Sequence, residues 1–106
     1  LQQVEEQRRE QTLQNVKHSV DAAFESTVAE YRTACLLVIR MKETVQMAEE
    51  YSAIAMERFK RSDITGIEVR AAQVNVLQYT TAYVQAMMDA KAAEIRLRMM
   101  SGMLTE

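Results

Sequence analysis

The sequence predicts an all-α protein, an antiparallel helical hairpin of two long helices with coiled-coil packing. Three observations lead to this prediction. First, the 106 residues include no proline and only two glycines, so the chain has few of the turn residues that β-sheets need. Second, one cluster of turn-forming residues, 62–66, interrupts an otherwise helix-compatible sequence. Third, apolar residues recur at alternating spacings of three and four on both sides of that cluster, as in coiled coils.

The first helix is predicted over about residues 1–61. At about 1.5 Å per residue it would be roughly 90 Å long, far beyond the helices of ordinary domains. Arg58, Lys60 and Arg61 lie in its predicted last turn, where cations favour the negative end of the helix dipole. A mostly apolar line runs along it, which we call the first seam and which consists of Leu13, Lys17, Val20, Phe24, Thr27, Tyr31, Ala34, Val38, Met41, Val45, Ala48, Ser52, Ala55 and Phe59.

A turn at about 62–65 and a second helix over about 66–102 complete the prediction. Thr65 and Glu68 have the spacing of a capping box, in which each residue's side chain accepts from the other's backbone N–H. A connection this short is typical of an antiparallel pair of helices. The second helix has an entirely apolar line, the second seam, made of Val69, Ala72, Val76, Tyr79, Tyr83, Ala86, Ala90, Ala93, Leu97, Met100 and Leu104.

The second helix has a further line of residues with the same spacing. A lone hairpin offers each helix one neighbour, whereas a helix with two apolar lines needs two. The sequence therefore predicts an assembly in which more chain or other subunits supply additional helices. We call this line the outer stripe, and it consists of Ile67, Arg70, Val74, Leu77, Thr81, Val84, Met88, Lys91, Ile95 and Arg98.

Composition and charge argue against several classes of partner. The formal net charge is -2 and the isoelectric point is about 5.5, which gives no electrostatic reason to bind nucleic acid or an anionic membrane surface. The longest apolar run, residues 34–39, is far shorter than the roughly 20 residues that span a bilayer. We therefore expect no nucleic-acid partner and no entry of this segment into the bilayer. The single cysteine, Cys35, cannot form an internal disulfide.

Catalytic and metal-binding chemistry is not expected either. His18 is the only histidine, and Asn15 stands where a di-iron helical bundle would need a glutamate. Glu49 and Glu50 are adjacent on a helix and diverge by about 100°, so they cannot act on one bond. The eight methionines could suggest soft-metal ligation, but filling of irregular helical seams explains them better. We predict no enzyme activity, no cofactor and no metal.

Two stretches resemble a known family. Residues 58–73 read RFKRSDITGIEVRAAQ, which resembles the tip signature of TolC-like outer membrane efflux proteins: Arg-aromatic, two variable residues, Gly, then apolar-acidic-Val and Ala-Gln. Ser62 stands in place of the turn glycine, which leaves open whether this position is left-handed or Gly66 supplies that freedom. The end of the chain is similar to the family's Ala-rich arm and Gly-x-Leu ending, through Ala90, Ala93, residues 95–97, Gly102 and Leu104.

The resemblance covers about residues 16–104 and implies a function. Such proteins are trimeric exit ducts, in which each protomer contributes strands to an outer-membrane barrel and two helical hairpins to a periplasmic tunnel. This chain resembles one hairpin, the second. Because the barrel strands, the other hairpin and an export signal are not in it, the resemblance implies a fragment of a larger protein, the periplasmic portion of an outer membrane protein. Its role would be passive export of small molecules.

The family's hairpin tips form the inner gate of the tunnel and meet the periplasmic adaptor protein of an inner-membrane pump. Glu68 matches an acidic position that lines the aperture in some members, whereas Ala71 departs from a second acid there. A ring of such carboxylates would favour cations. The residues that the resemblance assigns to tip, adaptor contact and gate are Arg61, Ser62, Asp63, Ile64, Thr65, Gly66, Glu68 and Arg70. The alternative is a freestanding coiled-coil scaffold or interaction module, which explains the seams but not the tip signature.

Overall fold

The computed structural model describes the backbone of residues 1–105 and the side chains of residues 1–103. It contains two helices, α1 (Gln2–Lys60) and α2 (Gly66–Thr105), which pack against each other. Near the open end, Arg96 pairs with Glu30 at 3.6 Å, whereas the Phe59 ring lies beside Gly66 at the turn. The helices are therefore antiparallel, and the molecule measures 89 × 21 × 13 Å. The predicted all-α helical hairpin is confirmed.

The helix bounds lie close to those expected from the sequence. α1 ends at Lys60, one residue before the predicted end, and α2 begins at Gly66 as predicted. α2 continues to Thr105, past the predicted end at residue 102. Gly102 does not stop it, because its φ is not positive and a single glycine weakens a helix by only about 1 kcal/mol.

The buried side chains lie on the two predicted seams. Val45 and Ala55 of the first seam are buried, and their counterparts on α2 are mostly alanines. Small alanines allow the two helix backbones to approach closely, which excludes water from a layer only two helices thick. The buried residues of the second seam are Val69, Ala72, Ala86 and Ala93.

Parts of both seams are exposed. Thr27 Oγ1 donates to Met100 Sδ at 3.1 Å, so Thr105, the last described residue of α2, lies level with about residue 22 of α1. The preceding part of α1 projects beyond α2, which leaves Leu13 and Val20 69% and 38% exposed. Lys17 on the same face is exposed as well. Leu104, the last residue of the second seam, lies outside the described side chains.

Two aromatic seam residues are also more exposed than their position predicts. Phe59 is 44% exposed beside the turn, where its ring lies near Gly66 at the start of α2. Tyr79 is 41% exposed, as is common for a side chain whose ring is apolar and whose hydroxyl is hydrated. The two helices are therefore packed most closely where the seam positions hold alanine or valine.

Candidate functional site

The tip of the hairpin, residues 61–70, begins with a hydrogen-bonded cap on α1. Ser62 N–H donates to the Phe59 carbonyl at 2.9 Å, and Asp63 N–H donates to the Arg58 carbonyl at 2.8 Å. This pair of bonds is the Schellman motif, which needs a left-handed residue between the last helical turn and the connector. Ser62 takes that conformation with φ 61°, the one positive φ of a residue other than glycine in the described backbone.

The structure thus answers the question that the sequence left open at this turn. Ser62 is left-handed, and neither Gly66 nor Gly102 has a positive φ. A residue with a Cβ pays roughly 1 kcal/mol for this conformation, which glycine adopts freely. Gly66 instead begins α2, and a Cβ added there would meet the Phe59 ring at an ordinary 3.7 Å.

The start of α2 carries the predicted capping box. Thr65 Oγ1 accepts from Glu68 N–H at 3.3 Å, and Glu68 Oε2 accepts from Thr65 N–H at 3.3 Å. The Glu68 carboxylate also lies in the first turn, where the helix dipole favours a negative charge. This geometry gives Glu68 a structural role in ordering the tip, whatever else it contacts.

The eight residues assigned to the tip lie together at one end of the rod. Seven of them are exposed, and only Ile64 is half-buried. The connector is fixed at both ends by the backbone and side-chain bonds just described, so the tip presents a defined surface. Arg70 belongs to the outer stripe as well as to the tip, and its side chain is exposed.

An open groove of about 420 Å³ lies between the helices directly behind the tip. Ala71 and Ala72 on α2 make room for it, Ile54 and Ile64 contribute apolar surface, and charged groups from both helices and the connector edge it. Tyr51 and Ile54 are 63% and 57% exposed in the single chain. The residues that line the groove are Tyr51, Ile54, Ala55, Arg58, Asp63, Ile64, Glu68, Ala71, Ala72 and Asn75.

Sequence reasoning missed the α1 wall of this groove. Tyr51 and Ile54 are three residues apart and flank the first seam, so they share one helix face. The signal in the sequence that could have indicated this wall is the pair of large apolar side chains on a helix face beside the first seam. Which residues of α2 face them depends on the register between the helices, and no short motif specifies that register.

Farther from the tip, Tyr31 and Cys35 form a small polar cluster with α2. A side-chain hydrogen bond with Cys35, followed by the charges of Cys35 and Glu94, raises the pKa of Tyr31 above its ordinary value of 10.0. Glu94 is only 25% exposed and is paired with two cations, Arg98 at 2.7 Å and Lys91 at 3.2 Å. The two ion pairs of Glu94 tie neighbouring turns of α2 together.

The described residues contain neither a metal-binding cluster nor a helix that could cross a bilayer. Within the described part of the chain, no three His, Cys, Asp or Glu residues lie close enough to hold a metal ion. His18 is exposed on the projecting part of α1. Neither helix contains, over its described length, a stretch apolar and long enough to cross a bilayer.

The outer stripe is exposed along its whole length in the single chain. It carries six large apolar side chains and three cations, Arg70, Lys91 and Arg98, with no acidic residue. Nothing within the described residues covers it. Its apolar members are Ile67 at 82%, Val74 at 46%, Leu77 at 67%, Val84 at 45%, Met88 at 61% and Ile95 at 50% exposure.

The fold and the tip together define an architecture, a long antiparallel helical hairpin with an ordered, capped tip and an uncovered outer face. Comparison with known proteins adds no relative, since no protein-family model, no curated protein and no solved structure matches the chain. Any functional assignment therefore rests on the residues of the tip and on the hairpin that presents them.

Proposed function

We propose that this chain is the periplasmic tunnel-wall and tip segment of a trimeric outer membrane efflux duct. It acts as a passive wall and gate and exports small molecules together with a periplasmic adaptor protein and an inner-membrane pump. The observation that carries the proposal is the position of the signature. Residues 58–73, which resemble the tip of TolC-like proteins, coincide with the turn between two long antiparallel helices.

The exposed faces of the hairpin support the same proposal. A closed ring of helices needs two contact faces on each helix, one toward each neighbour. α2 has one face packed on α1, and its outer stripe is uncovered. The groove behind the tip combines apolar side chains with charged and polar ones, a mixture that is typical of contacts between proteins and suits contact with an adaptor protein.

A freestanding coiled-coil scaffold is the second candidate. The specific observation in its favour is again the outer stripe, because any partner helix of suitable pattern could cover it. This reading gives no reason for the sequence of the tip. It predicts a protein whose activity is association alone.

An immunoblot of fractionated source cells separates the two candidates. The antibody is raised against this segment, and the apparent mass and the cell fraction are read together. The duct proposal expects an outer-membrane band several-fold heavier than 12.2 kDa. A cytoplasmic band at 12.2 kDa would overturn it and favour the scaffold. Antibody pre-absorbed with the purified segment serves as the control.

A further inference from the structure

The exposed face of α1 carries three glutamates at the spacing of a heptad repeat. Glu43, Glu50 and Glu57 are each seven residues apart, so they follow one line along the helix. Met47 and Ile54 alternate with them and are 68% and 57% exposed. All five side chains are exposed, away from the buried first seam. We call these five residues the acidic line.

The outer stripe of α2 has the complementary pattern over its last turns. From Arg98 back to Met88 it reads cation, apolar, cation, apolar, with Ile95 and Lys91 between them. The apolar members, Met88 and Ile95, are 61% and 50% exposed. Lys91 and Arg98 share the single carboxylate of Glu94, so this face keeps an excess of positive charge. Read in reverse, the stripe repeats the order of the acidic line with the charge inverted.

We propose that a second copy of this chain covers the outer stripe, by laying the acidic line of its α1 antiparallel on these last turns of α2. Ion pairs and apolar layers then alternate along the contact, and four exposed apolar side chains leave water. The inference does not rest on the proposed function, and it gives the freestanding scaffold a contact between subunits. The pairs, with the residue of the second copy first, are Glu43 with Arg98, Met47 with Ile95, Glu50 with Lys91 and Ile54 with Met88.

This pairing displaces the two copies along the rod. Within one chain Arg96 is level with Glu30, which places Arg98 level with about residue 28. In the proposed contact Arg98 meets Glu43 of the second copy, about 15 residues farther along α1, so the displacement is roughly 22 Å. Because the contact joins two different faces, each copy keeps one face free for a further copy, and association continues beyond the dimer.

Two other arrangements of a pair of copies match less well. If the tips were level, Glu43 and Glu50 of the second copy would face Val84 and Leu77, and neither carboxylate would meet a cation. If two outer stripes faced each other, their cations would meet no carboxylate, since the stripe contains no acidic residue. Charge complementarity therefore selects the acidic line and the displaced position.

Charge reversal tests the contact on the 106-residue chain. E50K replaces the attraction to Lys91 with a repulsion, and E49K is the matched control, because adjacent helix residues diverge by about 100°. Sedimentation equilibrium at micromolar concentrations measures the association constant of each contact. We expect wild type and E49K to associate equally, E50K to associate on the order of tenfold more weakly, and E50K/K91E to recover most of the loss. Circular dichroism checks that each variant keeps its helices.

Disulfide formation tests the position of the second copy. In a C35S background, I54C/M88C puts cysteines at two positions that meet only in the displaced antiparallel contact. Within one chain these positions are about 16 residues apart along the rod, so the bond must join two copies. R40C/M88C is the matched control, since these positions meet if the tips are level or if the two helices run parallel. We expect disulfide-linked oligomers from I54C/M88C and monomer from R40C/M88C on non-reducing gels.

Several results would overturn the inference. A wild-type chain that stays monomeric would leave the outer stripe to a different partner. Equal association of E50K and E49K, or no recovery in E50K/K91E, would show that the acidic line is not in the contact. Oligomers from R40C/M88C instead of I54C/M88C would show that the copies meet in another position. None of these results bears on the duct proposal, which the immunoblot tests separately.

Discussion

Ala86 lies at the centre of the packing between the helices, and replacing it with glutamate tests the assignment of the seams. Its side chain is 3% exposed and faces α1. Glu30, which is paired with Arg96, and Asp89 line the hollow beside it, so a new carboxylate would meet two acidic side chains. An unpaired charge in a packed layer costs about 3–5 kcal/mol. Because the hairpin is only two helices thick, the carboxylate can bend partly toward water. We therefore expect a loss of stability at the lower end of this range, about 3 kcal/mol.

A loss of this size is large against the roughly 5–15 kcal/mol that stabilises a domain of such length. We expect A86E to lower Tm by on the order of 10 °C and to shift the denaturant midpoint correspondingly. The assay is circular dichroism at two protein concentrations, so that any self-association is detected. A92E is the matched control, because Ala92 is exposed on the same helix and should tolerate the charge within about 0.5 kcal/mol. Wild-type melting of A86E would refute the seam assignment.

Three further predictions concern the tip and the Tyr31 cluster. T65A removes the Thr65 half of the capping box and should cost about 1 kcal/mol in denaturant unfolding, whereas E68Q retains the box and should melt close to the wild type. In the full-length parent, E68K should change the drug susceptibility of the source cells; a phenotype equal to that of T65A would show that only tip order was lost. The raised pKa of Tyr31 means that the folded state favours the neutral phenol. The contribution of Tyr31 to the free energy of unfolding is therefore complete below pH 10.0 and is lost as pH rises through the higher folded-state pKa. Between pH 8 and pH 11, the denaturant midpoint should therefore fall less steeply above pH 10.0 in Y31F than in the wild type. Parallel curves for the two proteins would contradict the raised pKa of Tyr31 in the folded state.

The features that sequence patterns predicted correctly are those in which the interacting residues are close in the chain or repeat regularly. The capping box of Thr65 and Glu68 involves residues three apart, and the seams repeat with the period of the helix. Both are therefore readable without knowledge of the partner helix. The buried residues of both helices all fall on the predicted seams for this reason.

The features that could not be read from the sequence depend on register or on backbone conformation. The exposure of Leu13 and Val20 follows from where α2 lies against α1, which the repeat does not specify. The α1 wall of the groove, Tyr51 and Ile54, depends on the same register. The left-handed conformation favours glycine, and Ser62 adopts it against that preference. The sequence therefore could not decide between Ser62 and Gly66 as the left-handed residue.

The bonded ends of the connector also determine how the tip can move. Residues 62 and 63 are tied back to the last turn of α1, and residues 65 and 68 are tied to each other at the start of α2. Bending the connector by itself would break these bonds. The apex therefore moves together with the helix ends to which it is bonded, as it does when the whole rod tilts. The turn of this hairpin is therefore a rigid end of the rod and not a flexible joint.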